Sequence, residues 1–170
     1  MGSGNEAHEP ASEQLGRWLA EEGVHLLTGG GGGVMAAVSR AFYETPGRKG
    51  LVIGVLPAGE TPGTPRPGYP NPWVEVPILT HLPSTGVHGA EATSRNHINV
   101  LSSDVIVALA GADGTRSELE LAVTYDRPVI AFIATRDEIP GIPDEVDSSG
   151  VLDEVCAFVR RALEGLRSAG

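Results

Sequence analysis

Five consecutive glycines, Gly29 to Gly33, separate a short apolar run from a segment with helical spacing in the sequence LLTGGGGGVM. The first amides of a helix have no acceptor inside the helix and carry a partial positive charge. Glycines at such a start let an anionic group approach the backbone without meeting Cβ atoms. A tight turn needs only one or two glycines, and each further glycine costs conformational entropy on folding. The run therefore favours phosphate binding over a turn that only connects two elements.

A second glycine turn with the same layout, AGADGTRSE, follows a later apolar run. In this turn, Thr115 and Glu118 have two compatible interpretations. A Thr-x-x-Glu sequence at a helix start is typical of a capping box, and it would also hold a carboxylate at the mouth of a pocket. Neither turn carries a standard nucleotide motif. The pattern G-x-G-x-x-G fits the first turn only because every position is glycine, and no Gly-Lys-Ser/Thr is present.

Alternating apolar patterns predict the elements that position these turns. Strands are predicted at residues 24–28, 51–56, 104–110 and 128–133, and helices at residues 10–22, 34–43, 93–103, 115–125 and 151–166. Residues 73–82 are strand-like but contain Pro77, which favours an edge strand. The alternation predicts an α/β fold with a mostly parallel sheet, whose ligand sites lie at the carboxyl ends of the strands. Both glycine turns leave strands at that edge.

Residues 59–72 contain five prolines, which excludes a helix or an inner strand. We expect this segment to be a surface loop that forms a rim or lid over a ligand. The loop at residues 84–88 follows another strand-like segment, and its hydroxyl groups and His88 are candidate additional donors. By contrast, His97 is expected at the surface or at an interface rather than as a base.

The composition bounds the class of protein. A length of 170 residues predicts a single domain spanning residues 1–170. The formal net charge of −10 argues against non-specific binding to nucleic acid or anionic membranes. No apolar stretch is long enough for a membrane span, and no signal segment is visible, so we expect a cytoplasmic protein. The single cysteine, Cys156, lies in an apolar helical pattern and is expected in the core. No His, Cys and Asp spacing predicts a metal site.

Four segments together resemble the LOG-like (SLOG, lysine decarboxylase-like) family of Rossmann proteins: GGGGGVM, IGVLP, SRNHINVLSSDVIVALAGADGTRSELELA and RPVIAF. The resemblance covers nearly the whole chain. The motif typical of this family is P-G-G-x-G-T-x-x-E, after a helix that carries an arginine. Four motif residues are retained here, namely Gly111, Gly114, Thr115 and Glu118. The chain departs from the motif at Ala110 and Ala112, and Arg95 is followed by Asn96 where the hydrolases usually carry lysine.

The resemblance implies a three-layer Rossmann-like fold and a choice between two activities. Enzymes of the family are phosphoribohydrolases, which cleave the N-glycosidic bond of nucleoside 5′-monophosphates and activate cytokinins. If the chain is such an enzyme, the resemblance makes Arg95 and Glu118 the catalytic residues, and an ionised Glu118 would stabilise an oxocarbenium-like transition state. A sister branch resembles molybdenum cofactor carrier proteins, which bind the phosphate-bearing pterin cofactor without chemistry. The Arg-Asn pair, the glycine run and the relaxed motif favour the carrier branch. A nucleotide-sensing module is a third hypothesis.

Family members usually have a hydrophobic strand before a Gly-Ser-Gly segment that matches Gly2, Ser3 and Gly4. This strand is not present before Gly2 in the sequence, and its loss would leave two strand edges unpaired. Three explanations stay open at this point: a misassigned start, a sheet that closes up, or a partner chain that fills the gap.

We therefore predict a phosphate-binding ligand site built from the two glycine turns, the Arg95 helix and the N-terminal segment. Its predicted residues are Ser3, Gly4, Gly29, Gly30, Gly31, Gly32, Gly33, Val34, Met35, Arg95, Asn96, Gly111, Ala112, Asp113, Gly114, Thr115 and Glu118. The predicted ligand is an anionic small molecule, with the molybdenum cofactor as the leading hypothesis and its metal arriving inside the pterin. The resemblance also implies a homodimer or larger homo-oligomer, and a molybdoenzyme as a candidate recipient of the cofactor.

Overall fold

The computed structural model describes residues 1–61 and 63–169 of the chain. Five helices in the described part are α1 (Ala11–Glu21), α2 (Gly33–Glu44), α3 (Asn96–Ser102), α4 (Asp113–Thr124) and α5 (Leu152–Ala169). The strands are β1 (Leu26–Thr28), β2 (Val52–Leu56), β3 (Val76–Leu79), β4 (Ile106–Ala108), β5 (Val129–Phe132) and β6 (Asp147–Ser149). None of these helices combines the length and the apolar character needed to cross a membrane.

The strands form two three-stranded sheets, in the orders β1-β2-β3 and β4-β5-β6. Every strand pair is parallel, for example with Thr28 opposite Gly54 and Ala108 opposite Ala131. Helices alternate with these strands along the chain, because parallel neighbours need a crossover connection. The predicted α/β fold with a mostly parallel sheet is confirmed.

A cavity of about 630 Å³ separates the two sheets where β1 and β4 face each other. Its lining is largely apolar and includes Leu26 of β1 and Ile106 of β4. The chain start covers only one end of β4, since the Met1 amino group donates to the Val107 carbonyl at 2.7 Å. In residues 1–61 and 63–169, therefore, the sheet does not close up across the expected gap.

Strand β3 is the edge strand that the sequence predicts, and all four of its residues are exposed. Its start is fixed by Glu75, whose amide donates to the Val52 carbonyl at 2.9 Å. The Glu75 carboxylate accepts hydrogen bonds from the Val52 amide at 3.0 Å and from Arg48 at 2.9 Å. The bond from the Arg48 guanidinium is the main reason that the pKa of Glu75 lies below its ordinary value of 4.5.

Several element boundaries differ from the predictions. Helix α3 begins at Asn96 rather than residue 93, because residues 91–94 form a turn in which the Ser94 amide donates to the Glu91 carbonyl at 2.8 Å. Helix α5 continues to Ala169, three residues beyond the predicted end. Strand β6 was not predicted, since its Asp-Ser-Ser sequence carries none of the apolar residues that typify strands.

The core lies between the helices and the two sheets. Fully buried side chains include Phe42, Val52 and Leu119, with 0% of their surface exposed. Cys156 is buried, as predicted, and burial raises the pKa of its thiol.

Replacing Leu119 by alanine should lower the free energy of unfolding by about 3 kcal/mol, because the change removes buried methyl groups and leaves a cavity. Leu101→Ala is the matched control on a residue that is 46% exposed, and it should cost about 0.5 kcal/mol or less. Urea denaturation of both variants measures the difference. Equal losses would contradict the placement of Leu119 in the core.

Glu75→Gln should destabilise the protein at neutral pH, because Arg48 then loses its carboxylate partner. A carboxyl group whose pKa is lowered in the folded state contributes stability above its unfolded pKa, and that contribution disappears as the pH falls through the folded pKa. The difference in unfolding free energy between the wild type and Glu75→Gln should therefore shrink as the pH drops below 4.5. The exposed Glu145→Gln is the control in the same denaturation series, and a difference independent of pH would refute the assignment.

Candidate ligand-binding site

Three backbone segments meet at the carboxyl ends of β1 and β4. The Ser3 amide donates to the Ala110 carbonyl at 3.0 Å, and the Ser3 carbonyl accepts the Val34 amide at 2.9 Å. A Cβ atom on Gly33 would overlap the Ser3 carbonyl oxygen, and one on Gly111 would lie 3.0 Å from the Ser3 nitrogen. The segment with Ser3 and Gly4 therefore lies between the two glycine turns, as the predicted site requires.

Each glycine of the run has a local steric reason. Gly30 and Gly33 have φ angles of +73° and +57°, a region that other residues rarely adopt. A Cβ on Gly29 would overlap the Arg95 guanidinium, and one on Gly32 would lie 3.0 Å from the Gly4 carbonyl oxygen. At Gly31 a Cβ would lie 2.8 Å from the Met35 methyl group and 2.9 Å from the Tyr69 ring. The backbone conformation thus favours glycine at positions 30 and 33 with or without a ligand, so the number of glycines does not by itself indicate an anion.

Backbone amides that have no protein acceptor indicate where an anion could bind. The amides of Gly31, Gly32 and Gly33 have no acceptor within residues 1–61 and 63–169. By contrast, the Gly30 amide donates to the Thr28 hydroxyl at 3.1 Å, and the Val34 amide is taken by Ser3. At the second turn Gly111 donates to the Glu138 carbonyl at 3.1 Å. The amides of Asp113, Gly114 and Thr115 that follow have no acceptor in the same described part of the chain.

Arg95 is buried beside Gly29 of the first turn and Glu118 of α4, and it is 5% exposed. An arginine on a solvated helix face would be mostly exposed, so this burial shows that Arg95 is not a surface charge. Its Nη1 donates to the Asn96 side-chain oxygen at 2.9 Å and lies 3.5 Å from Glu118 Oε1. The Nε atom is buried without an acceptor among the described residues, and Nη2 lies against Gly29. One edge of the guanidinium is thus satisfied by protein groups, whereas the opposite edge is not.

Helix α4 supplies Thr115 and Glu118 without using them as a cap. The helix begins at Asp113, two residues earlier than predicted, after Ala112 at the N-cap position. No side chain caps this helix, so the capping-box interpretation is wrong. Thr115 is instead 2% exposed, inside the first turn beside Gly111, and Glu118 is 8% exposed.

Burial lowers the pKa of the nearby Met1 amino group. The negative charge of Glu118 raises this pKa in part, and the positive charge of Arg95 lowers it further.

Two loops border the turns. The proline-rich loop contacts the first turn through Asn71. The second loop contains the short 3₁₀ turn Gly86–His88, whose Gly86 carbonyl accepts a 3.2 Å hydrogen bond from the Ser117 hydroxyl of α4. Arg66 links these loops, since it donates to the Thr85 hydroxyl at 3.1 Å and to the Pro83 carbonyl at 2.8 Å. Sequence reasoning missed Arg66, Asn71 and Tyr69, because contacts between distant loops leave no local periodicity.

Neither His88, the candidate donor, nor His97, which was expected at the surface or an interface, has a hydrogen bond to the glycine turns in the described part of the chain. His88 is exposed and lies 2.6 Å from Glu91. His97 contacts the Tyr125 hydroxyl at 2.7 Å and the Glu91 carbonyl at 2.9 Å.

Comparison with known sequences identifies the family. Residues 1–155 match the profile of the SLOG cluster4 family. The chain belongs to this family. A probable cytokinin riboside 5′-monophosphate phosphoribohydrolase of Oryza sativa subsp. japonica is 30% identical over 159 residues, which cover 92% of the chain and 54% of that protein. An uncharacterized protein of Archaeoglobus fulgidus is 30% identical over 70% of the chain and 66% of its own length. The chain thus spans between about half and two thirds of the length of these two relatives.

Solved structures similar to this SLOG protein include two whose names refer to the molybdenum cofactor. The Moco carrier protein of Chlamydomonas reinhardtii matches with a TM-score of 0.71 and 28% identity, covering 97% of this chain and 95% of that chain. The molybdenum cofactor binding protein of Rippkaea orientalis matches with a TM-score of 0.65 and 29% identity, covering 95% of each chain. The comparisons therefore support a ligand-binding family. The similar proteins include both named phosphoribohydrolases and proteins named for the molybdenum cofactor.

Glu118→Gln should destabilise this SLOG protein by about 3 kcal/mol, because it leaves the buried Arg95 charge without its carboxylate. Glu120→Gln is a matched control on the same helix, where Arg116 lies at the same 3.5 Å distance but both side chains are more than a third exposed. That control should cost about 0.5 kcal/mol. Chemical denaturation at neutral pH measures both, and similar losses would show that Arg95 does not depend on Glu118.

Proposed function

We propose that the chain binds a phosphate-bearing heterocycle between its two glycine turns and acts as a molybdenum cofactor carrier. The observation that carries the proposal is the guanidinium edge of Arg95, buried beside Gly29 with no protein acceptor at Nε. A buried cation with unused donors is costly unless an anion completes its surroundings. A phosphate presents the planar pair of acceptors that this edge of arginine binds in a forked manner.

The free amides of the two turns supply the rest of the cradle. The amides of Gly31–Gly33 and of Asp113–Thr115 begin α2 and α4, where the helix dipole favours negative charge. Their local attraction is needed because the chain carries a net charge of −10, which repels anions at long range.

The pairing within the site favours a carrier over a hydrolase. Glu118 faces the satisfied edge of Arg95, through Nη1, so a phosphate at the opposite edge would leave this ion pair in place. A carboxylate that stays paired with a guanidinium is less able to stabilise positive charge on a ribosyl ring. Asn96 reinforces this arrangement, because its side-chain oxygen accepts a hydrogen bond from Nη1.

The proposed cargo carries its molybdenum within the pterin, so no metal ligand of the protein is required. A molybdoenzyme is the proposed recipient of the cofactor.

A nucleoside 5′-monophosphate phosphoribohydrolase is the second candidate, supported by the rice relatives and by the retained Arg95 and Glu118. In that reaction water replaces the base at the ribosyl carbon, which yields the free base and ribose 5-phosphate. Glu118 would have to leave its pairing with Arg95 as the glycosidic bond breaks. A nucleotide-sensing module, the third hypothesis, would bind the same phosphate without cleaving the ligand and without delivering it to another protein.

Protein produced together with the cofactor pathway should purify with bound pterin and molybdenum, measured by pterin fluorescence after oxidation and by metal analysis. Arg95→Met should lose most of both, whereas Arg116→Met, which alters a more exposed arginine, should keep them. Incubation with AMP and cytokinin riboside monophosphates should release no free base. Turnover of about 1 s⁻¹ or more that disappears in Glu118→Ala would replace the carrier proposal with the hydrolase.

A further inference from the structure

Asn71, near the end of the proline-rich loop, binds the glycine run at two successive carbonyls. Its side chain is buried, with 6% of the residue exposed, although the loop was predicted to lie at the surface. Its backbone amide donates to the Gly30 carbonyl at 2.7 Å, and its Nδ2 donates to the Gly31 carbonyl at 2.9 Å. Its Oδ1 accepts the Trp73 amide at 3.2 Å, which fixes which end of the side-chain amide faces the turn.

These two bonds determine where the next amides point. In a trans peptide the C=O and N–H groups point in opposite directions. The carbonyls of Gly30 and Gly31 face Asn71, so the amides of Gly31 and Gly32 face away from the loop. These are two of the amides without an acceptor in the described part of the chain. Successive N–H groups on one side of the backbone form a concave pair that binds anions.

We infer that Asn71 is the positioning residue of the phosphate site, because it aims the amides of Gly31 and Gly32 at the ligand. The inference rests on the proposed function. Its independent support is the nearby Arg95, whose Nε is buried without an acceptor in the described residues. Asn71 itself does not touch the phosphate; it acts only through the backbone of the run.

The chemistry requires asparagine rather than a residue of similar size. A run of five glycines has wide backbone freedom, so its peptide planes rotate unless something external holds them. Only a side chain with both a donor and an acceptor can bind the Gly31 carbonyl and the Trp73 amide together. In Asn71→Asp a carboxylate oxygen would face the Gly31 carbonyl oxygen, which repels this peptide plane and favours its rotation.

The test is a titration of the ¹⁵N-labelled full chain with inorganic phosphate, followed by amide chemical shifts. In the wild type, phosphate should shift the Gly31 and Gly32 resonances. In Asn71→Asp the dissociation constant for phosphate should rise about tenfold or more, the usual effect of losing well-aimed hydrogen bonds to a charged group. Asn71→Ala, which loses only the side-chain bonds, should weaken binding in the same direction. Thr64→Ala is the matched control in the same loop, because within residues 1–61 and 63–169 the Thr64 hydroxyl donates to the Thr61 carbonyl and contacts no group of the glycine run. This variant should bind phosphate as the wild type does.

The outcomes separate this inference from the proposed function. Phosphate shifts confined to residues 111–115 of the wild type would overturn the role of Asn71 and leave the phosphate site standing. Equal phosphate affinity in the wild type and in Asn71→Asp would also overturn the role of Asn71 without removing the phosphate site. The absence of shifts at both turns of the wild type would remove the proposed function itself. Because the wild-type shift map locates the bound phosphate, the inference can fail even where neither Asn71 variant folds.

Discussion

The burial of the Arg95 guanidinium against the backbone of Gly29 is the constraint on which this site depends. A charge that is 5% exposed needs a compensating partner, and Glu118 at 3.5 Å is the carboxylate that meets it. The guanidinium also needs space, which exists only because residue 29 has no Cβ atom. The same lack of side chains lets Ser3 bond to Ala110 and Val34. The first glycine turn and helix α4 thus meet at one cation, so replacement of Gly29 changes electrostatics as well as packing.

The sequence predicted the parts of the structure that rest on local pattern. Alternating apolar runs predicted the parallel α/β fold, and Pro77 predicted the edge position of β3. The two glycine turns were predicted to lie together because the carboxyl ends of parallel strands share one edge. Local pattern fails where a long-range contact decides the conformation. Asn71 binds a carbonyl 40 residues away, and nothing near it in the sequence indicates that partner.

The capping-box error at Thr115 has a related cause. Thr-x-x-Glu satisfies a capping box only when the threonine is the N-cap residue. Helix α4 begins two residues before Thr115, so the hydroxyl lies inside the first turn beside Gly111. A motif identifies residue types, whereas the helix start fixes their roles. The count of five glycines is likewise ambiguous evidence, since Gly30 and Gly33 adopt positive φ angles that favour glycine with or without a ligand.

Whether such a site stores a ligand or cleaves one depends on which edge of Arg95 the phosphate takes. Binding at the Nε edge leaves Nη1 between Asn96 and Glu118, so the carboxylate stays neutralised and the ligand is only held. Binding that draws Nη1 away would leave the largely buried Glu118 carboxylate without its cationic partner. Its field would then act on any positive charge that develops at a nearby ribosyl carbon, where a low dielectric strengthens it. Asn96 opposes that second arrangement, because its side-chain oxygen holds Nη1 at 2.9 Å. A hydrolase built on this site would therefore have to break the contact between Asn96 and Arg95, whereas the carrier that we propose keeps it.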